Sequence, residues 1–460
     1  MVRLMRRFFT WRGYVPFVLA TWVLAPELRR LYDWRTTFHQ LSPFSLLPLL
    51  TLVPGLFFVP SQWARMGVSG RRVTRMWIFA FGYAFLVAFL TSSPLSATYT
   101  LTLFIAPVLF YVLLSAGSTG EDITTTYERI AKALLWLGVI SATYGIWQYI
   151  SPPPWDAYWA QQANIEGSQG VTESFNFRVF GTLNSTGPFA AFLMFAILIN
   201  IPRLRLSRWR IVLGLLPPII ALALTSVRSV WVAVALGVVL YLLLSPQRRT
   251  TLISLGAIAA AFTLVGAVLL TTVSYSGAAK TTASLSSRLS TFSDLGNDRS
   301  VQARTQVSAD SVETGIREPL GQGLGATGTS TKLSGGDATA LDNGYLARFL
   351  ELGVAGMAAY MIALLLALIA SFTSYRTFLR SANANANAAS IAAMGLVIQL
   401  LLLVLEVASD SHNSFPGMFF WFSVFLASAY RAPVGMRVEP SGSLSRTSSA
   451  LPASVRASTA

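Results

Sequence analysis

Three short stretches, far apart in the chain, carry side chains of matching chemistry. Arg178-Val179-Phe180-Gly181-Thr182-Leu183-Asn184 ends a polar link, and Thr225-Ser226-Val227-Arg228-Ser229-Val230-Trp231 forms a tight turn between two apolar runs. Leu341-Asp342-Asn343-Gly344-Tyr345-Leu346 closes the longest polar segment, 274–343, which also holds Arg288, Arg299, Arg304 and Arg317. Guanidinium groups stay charged and present paired donors that match phosphate oxygens, so such a set suits a partly buried diphosphate. An unpaired arginine near lipid is costly, which argues that Arg178 and Arg228 have an anionic partner.

Each of these residues also has a plainer reading. Arg228 beside Trp231 fits a snorkelling interfacial residue, and Arg178 can pair with Glu173. The loop arginines have seven acidic neighbours in Asp294, Asp298, Asp310, Glu313, Glu318, Asp337 and Asp342. Asp342 precedes an apolar run of helical period and reads as its N-cap, a role compatible with chemistry. Glu351, inside that helix, is spaced to pair with Arg348 one turn earlier. Glu406 and His412, near the next turn, are candidates of the same kind.

The elements that must position these residues are membrane helices. Hydrophobic residues make up 53% of 460 and charged residues only 12%, far below the quarter usual in soluble domains. Apolar runs long enough to cross a hydrocarbon core recur along the chain, at about 14–26, 42–60, 76–94, 97–117, 131–150, 181–201, 211–226, 228–245, 252–273, 345–372, 389–408 and 414–430. The expected class is an all-α polytopic membrane protein of about twelve transmembrane helices. Its division is 1–273 as the first nine helices, 274–343 as a loop with short helices, 344–430 as three further helices, and 431–460 as a Ser/Ala/Thr-rich disordered tail.

Lys and Arg decide orientation. With the N-terminus inside, the inner segments hold roughly twice as many basic residues as the outer ones. The 27–41 link, with Arg29, Arg30 and Arg35, is the exception. Both termini are then cytoplasmic and the 274–343 loop is extracytoplasmic. The net charge of +15 thus reads as topogenic, without nucleic acid. With no cysteine and only His39 and His412, thiolate chemistry is excluded and a histidine-rich metal centre is not expected. Gly323-Leu324-Gly325-Ala326-Thr327-Gly328 matches the dinucleotide pattern but follows no strand, and is expected to be a flexible loop segment. A twelve-span transporter usually shows related halves and mid-membrane polar residues, and neither is seen here.

Taken in order, these elements resemble the O-antigen ligase and polymerase superfamily of bacterial membrane glycosyltransferases. The resemblance runs from about Arg178 to Gly356. It comprises Arg178 to Asn184 with Gly187-Pro188-Phe189-Ala190, Leu224-Thr225 up to Arg228-Ser229, Arg288 and Arg304, Pro319 to Gly325, Asp342 to Leu346, and Glu351 with Gly353 and Gly356. It implies a C-type glycosyltransferase fold in the inner membrane with a large periplasmic loop, and a glycan on undecaprenyl diphosphate as substrate. It further implies transfer with inversion and neither metal nor cofactor. The implied catalytic residues are Asp342, Arg304 and Arg288; Arg178, Arg228, Asn184, Asn343, Tyr345 and Glu351 would hold diphosphate and sugar. Membrane lipid, a chain-length regulator and a flippase are the implied partners. Ligases typically carry a loop histidine before the Asn, whereas 274–343 has none and Asp342 takes that place. This favours the polymerase branch, including exopolysaccharide polymerases, over transfer to lipid A core. Val227 also replaces the more usual serine before Arg228.

Overall fold

In a computed structural model the described residues are 11–39, 42–63, 65–91, 94–118, 123–205, 208–246, 248, 252–253, 255–256, 299–328, 330–331, 341, 343–380 and 386–429. They form helices joined by short links, with no strand among them. In order, these are α1 (Trp11–Arg35), α2 (Pro54–Trp63), α3 (Val68–Thr91), α4 (Pro94–Gly117), α5 (Ile123–Ile150), α6 (Pro154–Gln162) and α7 (Thr186–Leu198). Then come α8 (Arg208–Thr225), α9 (Arg228–Leu244), α10 (Arg299–Arg317), α11 (Gly344–Arg380), α12 (Ala386–Leu405) and α13 (Ser414–Ala429). All of them lie in one compact unit, Met1–Tyr430; the second unit, Arg431–Ala460, is outside the described residues.

Hydrocarbon offers no partner to a peptide group, so long apolar segments close their hydrogen bonds internally as helices. Among the described residues, seven stretches are long and apolar enough to cross a bilayer: Pro43–Trp63, α3, α4, α5, Thr186–Leu204, α11 and α12. Seven of the twelve expected spans coincide with them. The spans expected at 211–226, 228–245 and 414–430 fall on shorter apolar helices, and 252–273 lies almost wholly outside the described residues. The protein is a polytopic helical membrane protein.

The first span and the link after it need correction. Instead of a span at 14–26 and a loop from 27, α1 continues unbroken through Pro26 to Arg35. Its last turns are folded into the protein. Arg29 bonds Asp33 Oδ2 at 3.3 Å, donates to Ser45 Oγ at 2.9 Å and to His39 O at 2.7 Å. Arg30 is fully buried, paired with Glu27 and with Asp156 Oδ1 at 3.2 Å, and its guanidinium lies 4.8 Å from the Phe180 ring centroid. These two arginines are neutralised inside the fold.

Elsewhere in the bundle core, Trp77 of α3 joins α4, α11 and α13. Its indole N–H donates to Phe104 O at 3.1 Å, while Phe420, Trp421 and Tyr360 close around the ring at 5.4, 5.6 and 5.6 Å between centroids. Between helices in lipid, such close packing rather than water exclusion supplies the attraction.

Removing Arg30 strands the buried Asp156 carboxylate and takes the ion-pair partner from half-buried Glu27, so Arg30→Ala is expected to cost about 3–5 kcal/mol, read as a lower melting temperature in detergent. Arg35→Ala, at an exposed site, is the near-neutral control. Burial pushes the Asp156 carboxyl up to about 6 against the pull of Arg30, with Glu27 adding to the rise. A carboxyl raised on folding holds its proton more tightly in the native state. Its stabilising contribution is therefore complete below about pH 4 and is lost as pH climbs. The loss runs from about pH 4 up to the folded value of about 6 and is complete above it. Asp156→Asn is expected to flatten the fall in melting temperature over that window.

Candidate functional site

α11 begins where the long polar segment ends, and it breaks after two and a half turns. Gly353 sits at φ 60, ψ −169, outside helical geometry. A break inside an apolar helix frees peptide groups that need partners. The Pro319–Gly323 strap supplies them: Gln322 N–H donates to Leu350 O at 2.8 Å, Gly323 N–H to Glu351 O at 3.2 Å, and Val354 N–H to Pro319 O at 2.9 Å. The two backbones run so close that a side-chain carbon on Gly353 would strike Pro319 O and Leu320 C, and one on Gly321 would strike Gly353 N. Both glycines have positive φ, so these positions require glycine twice over.

The strap is also tied to the ends of α3 and α4. Tyr83 Oη donates to Leu320 O at 3.0 Å, Thr91 Oγ1 to Gln322 O at 2.8 Å, Leu324 N–H to Ala84 O at 3.0 Å, and Ser96 Oγ to Gly325 O at 3.0 Å. The Gly323–Gly328 segment is thus docked, and the expectation of a flexible loop there is corrected. Gly323 and Gly325 serve close approach to the backbone of Ala88 and Ser96, which a dinucleotide pattern in the sequence cannot distinguish from approach to a phosphate.

Glu351 is the clamp. Its Oε1 accepts from Thr327 Oγ1 at 2.8 Å, Gly325 N–H at 3.2 Å and Thr327 N–H at 3.3 Å, and its Oε2 takes Arg348 Nη1 at 2.5 Å. A fully buried carboxylate bonded on both oxygens meets the condition for a buried charge. Arg348 extends the network, with Nη2 3.0 Å from Asp410 Oδ2 and its guanidinium 4.6 Å from the Phe104 ring centroid.

A second buried carboxylate closes the other side of α11. Glu406 Oε2 accepts from Ser411 N–H and Ser411 Oγ, both at 2.7 Å, and lies 2.8 Å from His412 Nδ1. Its Oε1 accepts from Tyr360 Oη at 3.2 Å, and its backbone carbonyl accepts from Gly344 N–H at 2.8 Å. Burial alone would raise the Glu406 carboxyl, but His412 and the two Ser411 donors hold it below the ordinary range. Asp410, about a quarter exposed, moves the other way: burial pushes it up to about 7 although Arg348 pulls it down. A carboxyl titrating there can exchange a proton near neutral pH.

Of the residues singled out by sequence, the fold brings Asn343, Tyr345 and Glu351 together at the head of α11, with Glu406 and His412 beside them. Asn343 Oδ1 caps the helix, accepting from Leu346 N–H at 3.2 Å; the cap expected of Asp342 lies outside the described residues. Tyr345 Oη donates to Leu403 O at 2.8 Å, tying this turn to α12. Arg178 is half-buried, its N–H bonded to Gln169 O at 2.9 Å. Asn184, also half-buried, accepts the Trp159 indole N–H on its carbonyl at 3.1 Å. Arg228 opens α9 two residues after Ser226, which has φ 55. Arg304 is on α10, with its side chain outside the described residues, as are Asp342 and Arg288 entirely.

Sequence reasoning missed Tyr360, Asp410 and the Arg30–Asp156–Gln148 group. Gln148 Oε1 accepts the N–H groups of Phe180 and Gly181, both at 3.1 Å, and Arg30 donates to Gly181 O at 2.6 Å and Leu183 O at 2.9 Å. The Arg178–Asn184 stretch is therefore held by buried polar groups from α1 and α5. Asp410 could have been found, because Ser409 to Asn413 is a polar run between two apolar spans. Tyr360 leaves no mark in the pattern of an apolar helix.

Residues 213–361 match the family model Wzy_C, described as O-antigen ligase. That stretch, about a third of the chain, holds α9, α10, the strap, the Gly353 break and the head of α11. Over that third the chain is similar to the O-antigen ligase/polymerase superfamily, whose members are membrane glycosyltransferase-like ligases and polymerases. No curated protein matches the chain, and no solved structure does.

Gly353→Ala is expected to undock the strap, since a left-handed residue with a side chain costs about 1–3 kcal/mol before the collision with Pro319 is counted. The readout is a lowered melting temperature with new protease nicks between Pro319 and Gly328. Glu351→Gln keeps the shape and loses only the ion pair with Arg348, so it should show a milder form of the same change.

Proposed function

We propose that this protein polymerises undecaprenyl-diphosphate-linked oligosaccharide repeat units, of an O-antigen or exopolysaccharide, at the periplasmic face of the inner membrane. The observation that carries this reading is the 213–361 family match, which covers Arg228, the 274–343 segment and the α11 head. The proposed architecture is a C-type glycosyltransferase of twelve spans with both termini in the cytoplasm. Arg178, Arg228, Arg288 and Arg304 hold the diphosphate and stabilise its charge as it leaves. Asp342 takes the proton from an acceptor sugar hydroxyl, whose oxygen attacks the anomeric carbon from the opposite face. The bond from that carbon to the diphosphate breaks, and the carrier lipid departs as its diphosphate. Asn343, Asn184, Tyr345 and Glu351 complete the substrate site, directly or through the turn they hold. A flippase supplies the substrate from the cytoplasmic side, and a chain-length regulator works with the product.

Polymerase is preferred to ligase because Asp342 stands where ligases carry a loop histidine. The competing reading, transfer of finished glycan to lipid A core or another acceptor, predicts that polymer forms and stays on its carrier. Cells lacking the protein are expected to accumulate single-repeat glycolipids; a normal polymer ladder in them would refute the proposal. In complementation, Arg178→Ala, Arg304→Ala and Asp342→Ala should each abolish polymer while the protein still inserts at normal levels. Full activity in all three would overturn the site assignment.

A further inference from the structure

α10 packs Ser311 and Gly315 toward α11, with Gly315 against the Phe349 ring. Round the helix from that packed face, Val312 and Ile316 lie one turn apart on a single stripe, which Leu320 extends just past the helix end. They are 40, 68 and 70% exposed. Beyond the stripe stand Asp310, Glu313 and Arg317, with Arg317 Nη2 2.5 Å from Glu313 Oε1 on the exposed side. A helix with packed, apolar and charged faces in that order is unsuited to water on every free side.

The apolar stripe continues onto membrane-spanning helices. Tyr83 Oη and the Val354 N–H bond the strap at Leu320 O and Pro319 O, which seats Leu320 between α3 and α11. On α3, Leu86 and Leu90 follow Tyr83 by three and seven residues and share its face; they are 68 and 88% exposed, and Val354 on α11 is 55% exposed. Exposed leucines on a spanning helix face hydrocarbon, so the surface that Leu320 and Ile316 prolong is already a lipid-facing one.

We infer that α10 is an interfacial helix, with Val312, Ile316 and Leu320 turned into the bilayer and Asp310, Glu313 and Arg317 turned to water. The inference concerns where α10 sits and needs no substrate, so it stands or falls apart from the polymerase reading.

The chain has no cysteine, which makes single-site labelling direct. Full-length Ile316→Cys and Glu313→Cys proteins, labelled with an environment-sensitive fluorophore, are reconstituted in phosphatidylcholine vesicles. Both positions are exposed, so neither change disturbs packing. The label at 316 should be quenched several-fold more by lipids with a nitroxide on the acyl chain than by aqueous iodide, and the label at 313 should show the reverse. Equal iodide quenching at both sites would place the stripe in water and overturn the inference. Protection at 316 from both quenchers would overturn it too, by showing a second copy or another protein over the stripe.

Discussion

A peptide group freed inside an apolar helix has no water to turn to, and the strap at Gly353 answers that constraint. Breaking α11 there exposes carbonyls at Leu350 and Glu351 and an N–H at Val354, and the Pro319–Gly323 backbone meets all three. The glycines follow from this pairing, since only residues without side chains allow the two backbones so close. Glu351 follows as well, because its carboxylate extends the three backbone hydrogen bonds to the far part of the strap, reaching Gly325 and Thr327.

Buried charge then organises the rest of the site end. Arg348 is shared between Glu351 and Asp410, so the first turns of α11 are fastened to the 405–413 turn. Glu406 fastens the same turn from the other side through Gly344, Tyr360, Ser411 and His412. Asn343 and Tyr345 therefore start from a fixed platform. Arg30 and Gln148 perform the equivalent service for the Arg178–Asn184 stretch, taking up its backbone groups one by one. In each case the polar residue buried near lipid bonds protein backbone or an opposite charge, the arrangement that makes burial tolerable.

This division of labour refines what the motif residues mean. Glu351 and the glycines of 321–325 lie in the stretch that carries the family resemblance, yet in the fold they bond each other and the helix ends. They build the platform, while the arginines and Asp342 carry the proposed chemistry. Contact geometry separates the two groups.

Composition and apolar run length determined the class, because a chain this apolar and this sparsely charged can only satisfy its peptide groups as membrane helices. The sequence also located the re-entry point at 342–346 and the Arg348–Glu351 pair, since that pairing is local to one helical turn. The docking of Gly323–Gly328, the burial of Arg30 and the meeting of Glu406 with Tyr360 were decided only by tertiary structure. Arg30 reaches a carbonyl 153 residues away and Ser96 one 229 residues away. Helix packing selects such partners from many equivalent polar groups along the chain. No periodicity records the choice, and the same Gly, Arg or Tyr would read identically had it faced lipid or water.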